Sequence, residues 1–277
     1  MFRTLLAAAH DGRWELVTDG ESEASVFRSA DGSRYAKCVP ALSAASMEGE
    51  RDRVDWLSGQ GVPGPRVLDW RVTADAACLV TSTVVGVPAD QVTAPQLRAA
   101  WRQIADAVRR LHDVPVRTCP FSRDLTRMFA TARDVVARGA VNPEFLPEDQ
   151  QRTPPTELLA RLVPQLEQRL VQEAAEAVVC HGDLCLPNIV LDPETLEVAG
   201  FIDLGRLGRA DPYADIALLL ANSRETWADD RRASAADEAF AQRYGIVLDR
   251  DRETFYLHLD PLTWGEGVEM PGHPSTR

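Results

Sequence analysis

At 277 residues the chain has length for about two domains, or for one enzyme folded as two lobes, and 45% apolar residues with only 17 Gly and 18 Pro exclude collagen, fibre and low-complexity disorder. Its 42 acidic residues against 30 basic ones leave a net charge of −12, which disfavours nucleic acid and anionic lipid as partners and favours a cation. The longest apolar run, Ile216 to Ala221, is six residues, far short of the roughly 20 that span a bilayer; Leu5 to Ala9 is too short for a signal peptide, so the protein is expected in the cytoplasm.

The first third reads as short strands at Trp14 to Thr18, Ser25 to Ser29, Arg34 to Cys38, Val67 to Val72 and Ala77 to Ser82, with Asp31-Gly32 as a hairpin turn. One helix interrupts them, about Met47 to Gln60, with Glu48 and Glu50 in its first turn, Gly61 beyond its end, and Trp56 and Leu57 placed to pack against the sheet. After Gly86-Val87-Pro88 the period turns helical. Thr93-Ala-Pro-Gln96 is a capping box, and Leu97, Trp101, Ile104, Val108 and Leu111 fall on one helical face, so a long buried helix is expected, ending near Pro115. Further helices are expected at about 123–138, 156–172, 212–222, 233–244 and 250–258. Between them, 177–180, 188–191 and 198–202 are short apolar runs bordered by polar residues, and they read as strands that carry a site. The segment beyond Gly265 is expected to be a disordered tail. Five cysteines, Cys38, Cys78, Cys119, Cys180 and Cys185, are odd in number and lack CxxC spacing, so reduced thiols are expected in place of disulfides or zinc ligands.

The segment His181-Gly-Asp183-Leu-Cys-Leu-Pro-Asn188, followed by Ile202-Asp203-Leu-Gly205, carries the chemistry. Kinase-type phosphoryl transfer needs a carboxylate beside the acceptor hydroxyl, with an amide and a second carboxylate to hold the magnesium ions that bridge the nucleotide phosphates. Asp183, Asn188 and Asp203 have that order and spacing. Lys37 is the only lysine; every other basic residue is arginine, so this position is read as one that needs a compact ammonium. A kinase site needs such an ammonium on its third strand, oriented by a helix carboxylate, for which Glu50 is the first candidate and Glu48 the competing one. A Walker loop cannot be written around Tyr-Ala-Lys-Cys, and neither HExxH nor GxSxG is present.

HGDLCLPN with IDLGRLGRADPYAD resembles the aminoglycoside phosphotransferases, small-molecule relatives of the protein kinases. Gly20-Glu-Ser, Tyr-Ala-Lys37, Gly49-Glu-Arg-Asp-Arg, Trp56-Leu, Cys119-Pro-Phe, Val141-Asn-Pro-Glu-Phe-Leu-Pro, the stretch 222–227 and Leu259-Asp-Pro-Leu-Thr-Trp264 are similar to the streptomycin 3″-phosphotransferase branch. The resemblance spans about residues 14–265 and implies an α+β, two-lobed protein-kinase-like fold: a small β-rich nucleotide lobe over 1–84, a larger, mainly helical catalytic lobe over 85–265, and a tail over 266–277. It implies Asp183 as the catalytic aspartate, Asn188 and Asp203 as magnesium ligands, and Lys37 with Glu50 as the ion pair on the phosphates. Tyr35 matches a ring that stacks on adenine, Ser22 a phosphate-loop residue, and Ser82 to Val84 the hinge that meets the adenine edge. Arg206 follows the IDLG as in the family, and Glu225 and Asp260 match acids that line the antibiotic pocket. Relatives often carry another acid where this chain has Thr226, a departure that fits streptomycin better than kanamycin-type substrates. The implied activity is transfer of the γ-phosphate of ATP or GTP, with Mg²⁺, to a hydroxyl of a cationic antibiotic by a monomeric enzyme. A kinase of the same fold acting on another small alcohol, such as choline or a sugar, and a binding-only nucleotide module are the alternatives. Gly182 stands where signalling kinases carry the arginine that anchors a phosphorylated activation loop, so activation by phosphorylation is not expected.

Overall fold

The computed structural model describes Phe2, Leu6, residues 13–17 and residues 24–265. Ser22 and the tail 266–277 lie outside the described residues, so the expectations placed on them are not addressed by the structure. Strands β1 (Trp14–Val17), β2 (Ser25–Ser29), β3 (Arg34–Pro40), β4 (Val67–Val72) and β5 (Ala76–Ser82) form one antiparallel sheet in the order β1-β2-β3-β5-β4. The β2–β3 hairpin turns at Gly32, whose φ of +70° is a left-handed conformation that glycine adopts without strain. On β3, Ala36 and Cys38 point into a core with Trp14, Phe27 and Val80, so the alternation sends Tyr35 and Lys37 to the opposite face.

Cys38 and Cys78 correct the expectation of reduced thiols. They face each other across β3 and β5 and are joined as a disulfide, while Cys119, Cys180 and Cys185 are free. The pairing depends on strand register between residues 40 apart, which cysteine spacing does not reveal.

Helix α1 (Ala44–Ser58) starts three residues before its expected start, which leaves no acid in its first turn. Met47 packs under the sheet with Val39, Ala77 and Leu79. Trp56 and Leu57 differ from expectation: they pack into the helical part of the molecule, and the Trp56 ring meets Phe121 edge-on at 6.0 Å. Helix α1 is therefore a bridge between the sheet and the rest of the chain, reinforced where Arg53 Nε donates to the Leu207 carbonyl at 2.8 Å.

Helix α2 (Ala94–His112) has the expected capping box, with Thr93 and Gln96 serving each other's backbone N–H groups. Its apolar face is fully buried, and Trp101 donates from Nε1 to the Ala236 carbonyl at 2.8 Å while meeting Trp227 edge-on. The remaining helices are α3 (Leu125–Ala137), α4 (Pro155–Leu162), α5 (Leu166–Glu176), α6 (Tyr213–Ser223), α7 (Asp230–Tyr244) and α8 (Arg250–Leu259). The single helix expected over 156–172 is broken into α4 and α5 by a tight turn, Val163–Gln165, because Pro164 cannot donate to the ladder and crowds the preceding turn. Strands β7 (Val178–Cys180), β8 (Ile189–Leu191) and β9 (Val198–Phe201) are close to the expected runs; β6 (Val87–Pro88) and β10 (Gly208–Ala210) are additional, pairing with β8 and β7 respectively.

Candidate active site

The loop between β7 and β8 carries His181 to Asn188, and three features fix its path. Gly182 has φ of +84°, and a Cβ there would stand 2.2 Å from the Arg206 carbonyl oxygen and 2.7 Å from Arg123 Cδ, so only glycine fits. The buried Asp215 of α6 accepts from the backbone N–H of His181 at 2.6 Å and of Gly182 at 2.8 Å. Asn222, at the other end of α6, accepts from Leu186 N–H at 2.8 Å. One buried helix thus holds the loop at two points. His181 ties the loop to the next strand: its Nδ1 accepts from Asp183 N–H at 3.2 Å, so Nε2 carries the proton and donates to the Ile202 carbonyl at 2.9 Å.

Asp183 is half-buried with its carboxylate toward Asn188, whose Nδ2 donates to the Asp183 carbonyl at 2.8 Å and to Oδ2 at 3.1 Å. Burial raises the Asp183 carboxyl above the usual carboxylate range, and the neighbouring His181 ring and Arg206 guanidinium offset only part of that. Asp203 follows β9 in a left-handed conformation, φ 58°, which turns its carboxylate back toward the sheet. Lys37 Nζ stands between 2.9 Å from Glu50 Oε2 and 3.0 Å from Asp203 Oδ1. Burial acts to lower the ammonium's pKa, but these two carboxylates outweigh it and raise it. Burial likewise acts against ionised Asp203, and Lys37 overcomes that and holds it low. Glu48, the competing partner, pairs with Arg51 at 3.0 Å instead.

The donors fit a hard divalent cation. With Asn188 Nδ2 engaged inside the loop, its Oδ1 is the end left for a cation, and Asp203 Oδ2 has no protein partner among the described residues. An amide oxygen and a carboxylate oxygen, with no soft ligand between them, are the donor set magnesium takes beside phosphates.

Tyr35 lies on the same face of β3 as Lys37 and is partly exposed. Ser82 ends β5 and is tied to Arg66 in both directions, its N–H donating to the Arg66 carbonyl and its Oγ accepting from Arg66 N–H, each at 2.9 Å. Val84 follows in the link to β6 and packs over Gly200 of β9, where a Cβ would come within 3.0 Å of Val84 Cγ1. The surroundings of Asp260 are more heavily paired than the sequence suggests. Asp260 Oδ1 accepts from Arg123 at 2.7 Å and from Arg206 at 3.5 Å, and Oδ2 accepts from Trp264 Nε1 at 2.8 Å. Arg206 lies over the Trp264 ring, 3.7 Å from its centroid, and burial together with neighbouring Arg123 pushes its pKa down to about 10. Glu225 is exposed on the turn Arg224–Thr226 and has no partner among the described residues.

Residues 13–256 match the Phosphotransferase enzyme family. The chain is 69% identical over 254 residues to the streptomycin 3″-kinase of Streptomyces griseus, an alignment covering 92% of this chain and 93% of that one. The chain belongs to the aminoglycoside phosphotransferase family. An aminoglycoside 3′-phosphotransferase of Streptomyces fradiae is 40% identical over 257 residues, covering 89% of this chain and 94% of that one. The solved structure of aminoglycoside phosphotransferase APH(3″)-Id from Streptomyces rimosus superposes with a TM-score of 0.91 at 70% identity, covering 95% of this chain and 97% of that one. The complex of that protein with ADP and streptomycin superposes with a TM-score of 0.90.

Against that family background, Asp215, His181, Arg123 and Asn222 are the residues that the sequence reading did not assign to the site. Asp215 carries a visible signal, an acid inside the most apolar helical stretch of the chain. His112, Cys180 and Asp215 bring three potential ligand atoms within 4.8 Å of one another. Each is already engaged: His112 with Tyr244 and Asp215, Asp215 with the 181–188 loop, and Cys180 with the Asp211 carbonyl, so the cluster is a buried hydrogen-bond network.

Proposed function

We propose that this protein transfers the γ-phosphate of ATP to the 3″-hydroxyl of streptomycin and so confers resistance to it. The observation that carries the reading is the similarity to the streptomycin 3″-kinase, 69% over nearly the whole chain. The likeness to the protein solved with ADP and streptomycin supports it, as does the presence of Lys37, Glu50, Asp183, Asn188 and Asp203 around one space.

In this reading Tyr35 and the 82–84 link receive adenine, Ser22 belongs to the loop over the phosphates, and Lys37, held by Glu50, grips the α- and β-phosphates. Asn188 and Asp203 would hold magnesium, which when bound would neutralise the charge that develops on the phosphates. Asp183 orients the acceptor hydroxyl and accepts its proton late, since the transition state is loose and gains most from alignment. Glu225 is the free acid for a guanidinium of the antibiotic, which favours bidentate carboxylates. Asp260 lines the same pocket with its charge shared by Arg123 and Arg206, and Arg206 braces the wall through Trp264. The reading is of a monomer in the cytoplasm, with residues 1–84 as the nucleotide lobe and 85–265 as the catalytic lobe. No helix among the described residues is long and apolar enough to cross a membrane.

The test is nucleotide consumption over a panel of streptomycin, kanamycin and choline, with ATP and GTP compared and the product mapped by NMR and mass spectrometry. Phosphate on the streptomycin 3″-oxygen is the expected result. Phosphorylation of kanamycin but not streptomycin overturns the substrate, and activity on choline alone overturns the antibiotic reading.

A further inference from the structure

The amide of Asn188 has two unlike ends, and only the oxygen end ligates a hard cation. Which end faces outward is decided inside the loop. Nδ2 lies 2.8 Å from the Asp183 carbonyl oxygen, 3.1 Å from Asp183 Oδ2 and 3.2 Å from Cys185 Sγ. The two oxygens can only accept, so the reversed amide would set its oxygen against both of them; the thiol sulfur serves as the third, weaker acceptor for Nδ2. The amide has two hydrogens for three acceptors, and one of those acceptors is the catalytic carboxylate itself.

That sharing matters during turnover. Asp183 Oδ1 has no partner among the described residues and is the oxygen open to the substrate hydroxyl; when the carboxylate turns to present it, Oδ2 moves away from Asn188. Without another acceptor, the amide would either follow the carboxylate or be left with one hydrogen unsatisfied. We propose that Cys185 is a positioning residue for the magnesium site: its sulfur keeps the second hydrogen of Asn188 engaged when Asp183 turns to the antibiotic, so Oδ1 stays aimed at the cation. The proposal rests on the reading of Asn188 as a magnesium ligand.

The backbone places the sulfur for this task. Cys185 N–H donates to the Asp183 carbonyl at 3.0 Å, its own carbonyl accepts from Asn188 N–H at 3.1 Å, and the next residue is pinned to Asn222. Leu184 and Leu186 on either side are buried, whereas Cys185 is only partly so, which sets its side chain at the open edge of the loop. Cys119 and Cys180, by contrast, are buried among core residues.

The test measures Mn²⁺ as a reporter of the magnesium site, by electron paramagnetic resonance titration of the protein with ADP and streptomycin bound, alongside the KM for Mg²⁺ and kcat. Cys185→Ala should weaken Mn²⁺ binding about 10-fold, the low end for losing a group that orients a metal ligand, and raise the KM for Mg²⁺ in parallel. Cys185→Ser retains an acceptor and should stay within about two-fold of the parent. Asn188→Ala is the reference for loss of the ligand. If Asn188→Ala weakens Mn²⁺ binding and Cys185→Ala does not, the role of Cys185 is overturned and the magnesium reading stands. If Asn188→Ala binds Mn²⁺ like the parent, the magnesium reading falls and the proposal with it. A Cys185→Ser protein as weak as Cys185→Ala overturns the acceptor role.

Discussion

Lys37 stands between two carboxylates at 2.9 and 3.0 Å, a space that suits a compact ammonium with three rotatable donors and not a planar fork. Lys37→Arg keeps the charge yet should lower kcat/KM by about 10-fold or more, while Arg→Lys changes on the exposed surface leave it within about two-fold. A fully active Lys37→Arg enzyme would show that the lysine's survival in an arginine-rich chain was incidental. Asp183→Ala separates binding from chemistry: nucleotide affinity by calorimetry should change little, and turnover should fall by roughly 100-fold or more. Turnover within a few-fold of the parent would remove Asp183 from the base position. Lys37, Asp183, Asn188 and Asp203 were legible in the sequence because each is marked locally, by rarity or by spacing along one hairpin. Arg123 was not, and Asp215 was marked only as an acid in an apolar helix, because their partners lie far along the chain: Asp215 acts 34 residues back on His181, and Arg123 pairs 137 residues ahead with Asp260. Asp260 shows the same limit from the other side, since an acid in a motif says nothing of the arginines that already share its charge.

Helix α3 begins against a buried carboxylate from α5. Glu173 accepts from Leu125 N–H with both oxygens, at 2.9 and 3.0 Å, and from Asp211 N–H at 3.2 Å, so one side chain holds a helix start and the approach to α6. Burial raises its pKa to about 7 against those two backbone bonds. The folded state therefore binds the proton more tightly than the unfolded chain, and this group's contribution to stability is full below about pH 4.5 and is lost as pH rises through about 7. Urea unfolding of the parent should show a decline on the order of 1–3 kcal/mol from this group between pH 5 and 8, and Glu173→Gln should show a flatter profile across the same range. A parent profile with the same slope as Glu173→Gln would assign the pH dependence elsewhere. At this scale the long periodic elements were legible, α2 above all, because a capping box and five buried residues at helical spacing reinforce each other. The two- and three-residue strands β6 and β10 were not, since so short a segment has no period of its own and becomes a strand only through its partner in the sheet. Trp56 was placed on the right helix and against the wrong layer, because a helix that bridges two layers shows apolar residues on two faces and the sequence does not say which layer each face meets.

Over the whole molecule the net charge of −12 bears on both substrates with opposite sign, since streptomycin is a cation and the nucleotide an anion. An acidic protein draws the cation from a distance and repels the anion, and the range of that field is set by salt: about 30 Å at 0.01 M and about 8 Å at 0.15 M. Raising ionic strength across that interval should therefore lower kcat/KM for streptomycin by several-fold and leave that for Mg-nucleotide unchanged or modestly higher. In the proposed function Glu225 supplies the local part of the same attraction. It is exposed and free among the described residues, so Glu225→Gln should raise the KM for streptomycin with little change in the KM for ATP, and should weaken the salt dependence of the first without altering the second. Asp260→Asn should behave differently, because its carboxylate already holds Arg123, Arg206 and Trp264; the loss should fall on thermal stability as well as on KM. The decisive measurement is the pair of salt titrations on the parent and on Glu225→Gln, with magnesium held saturating. Parallel slopes for streptomycin in the two proteins would move the guanidinium contact away from Glu225, and a salt-independent parent would show that the molecule's acidity serves solubility alone.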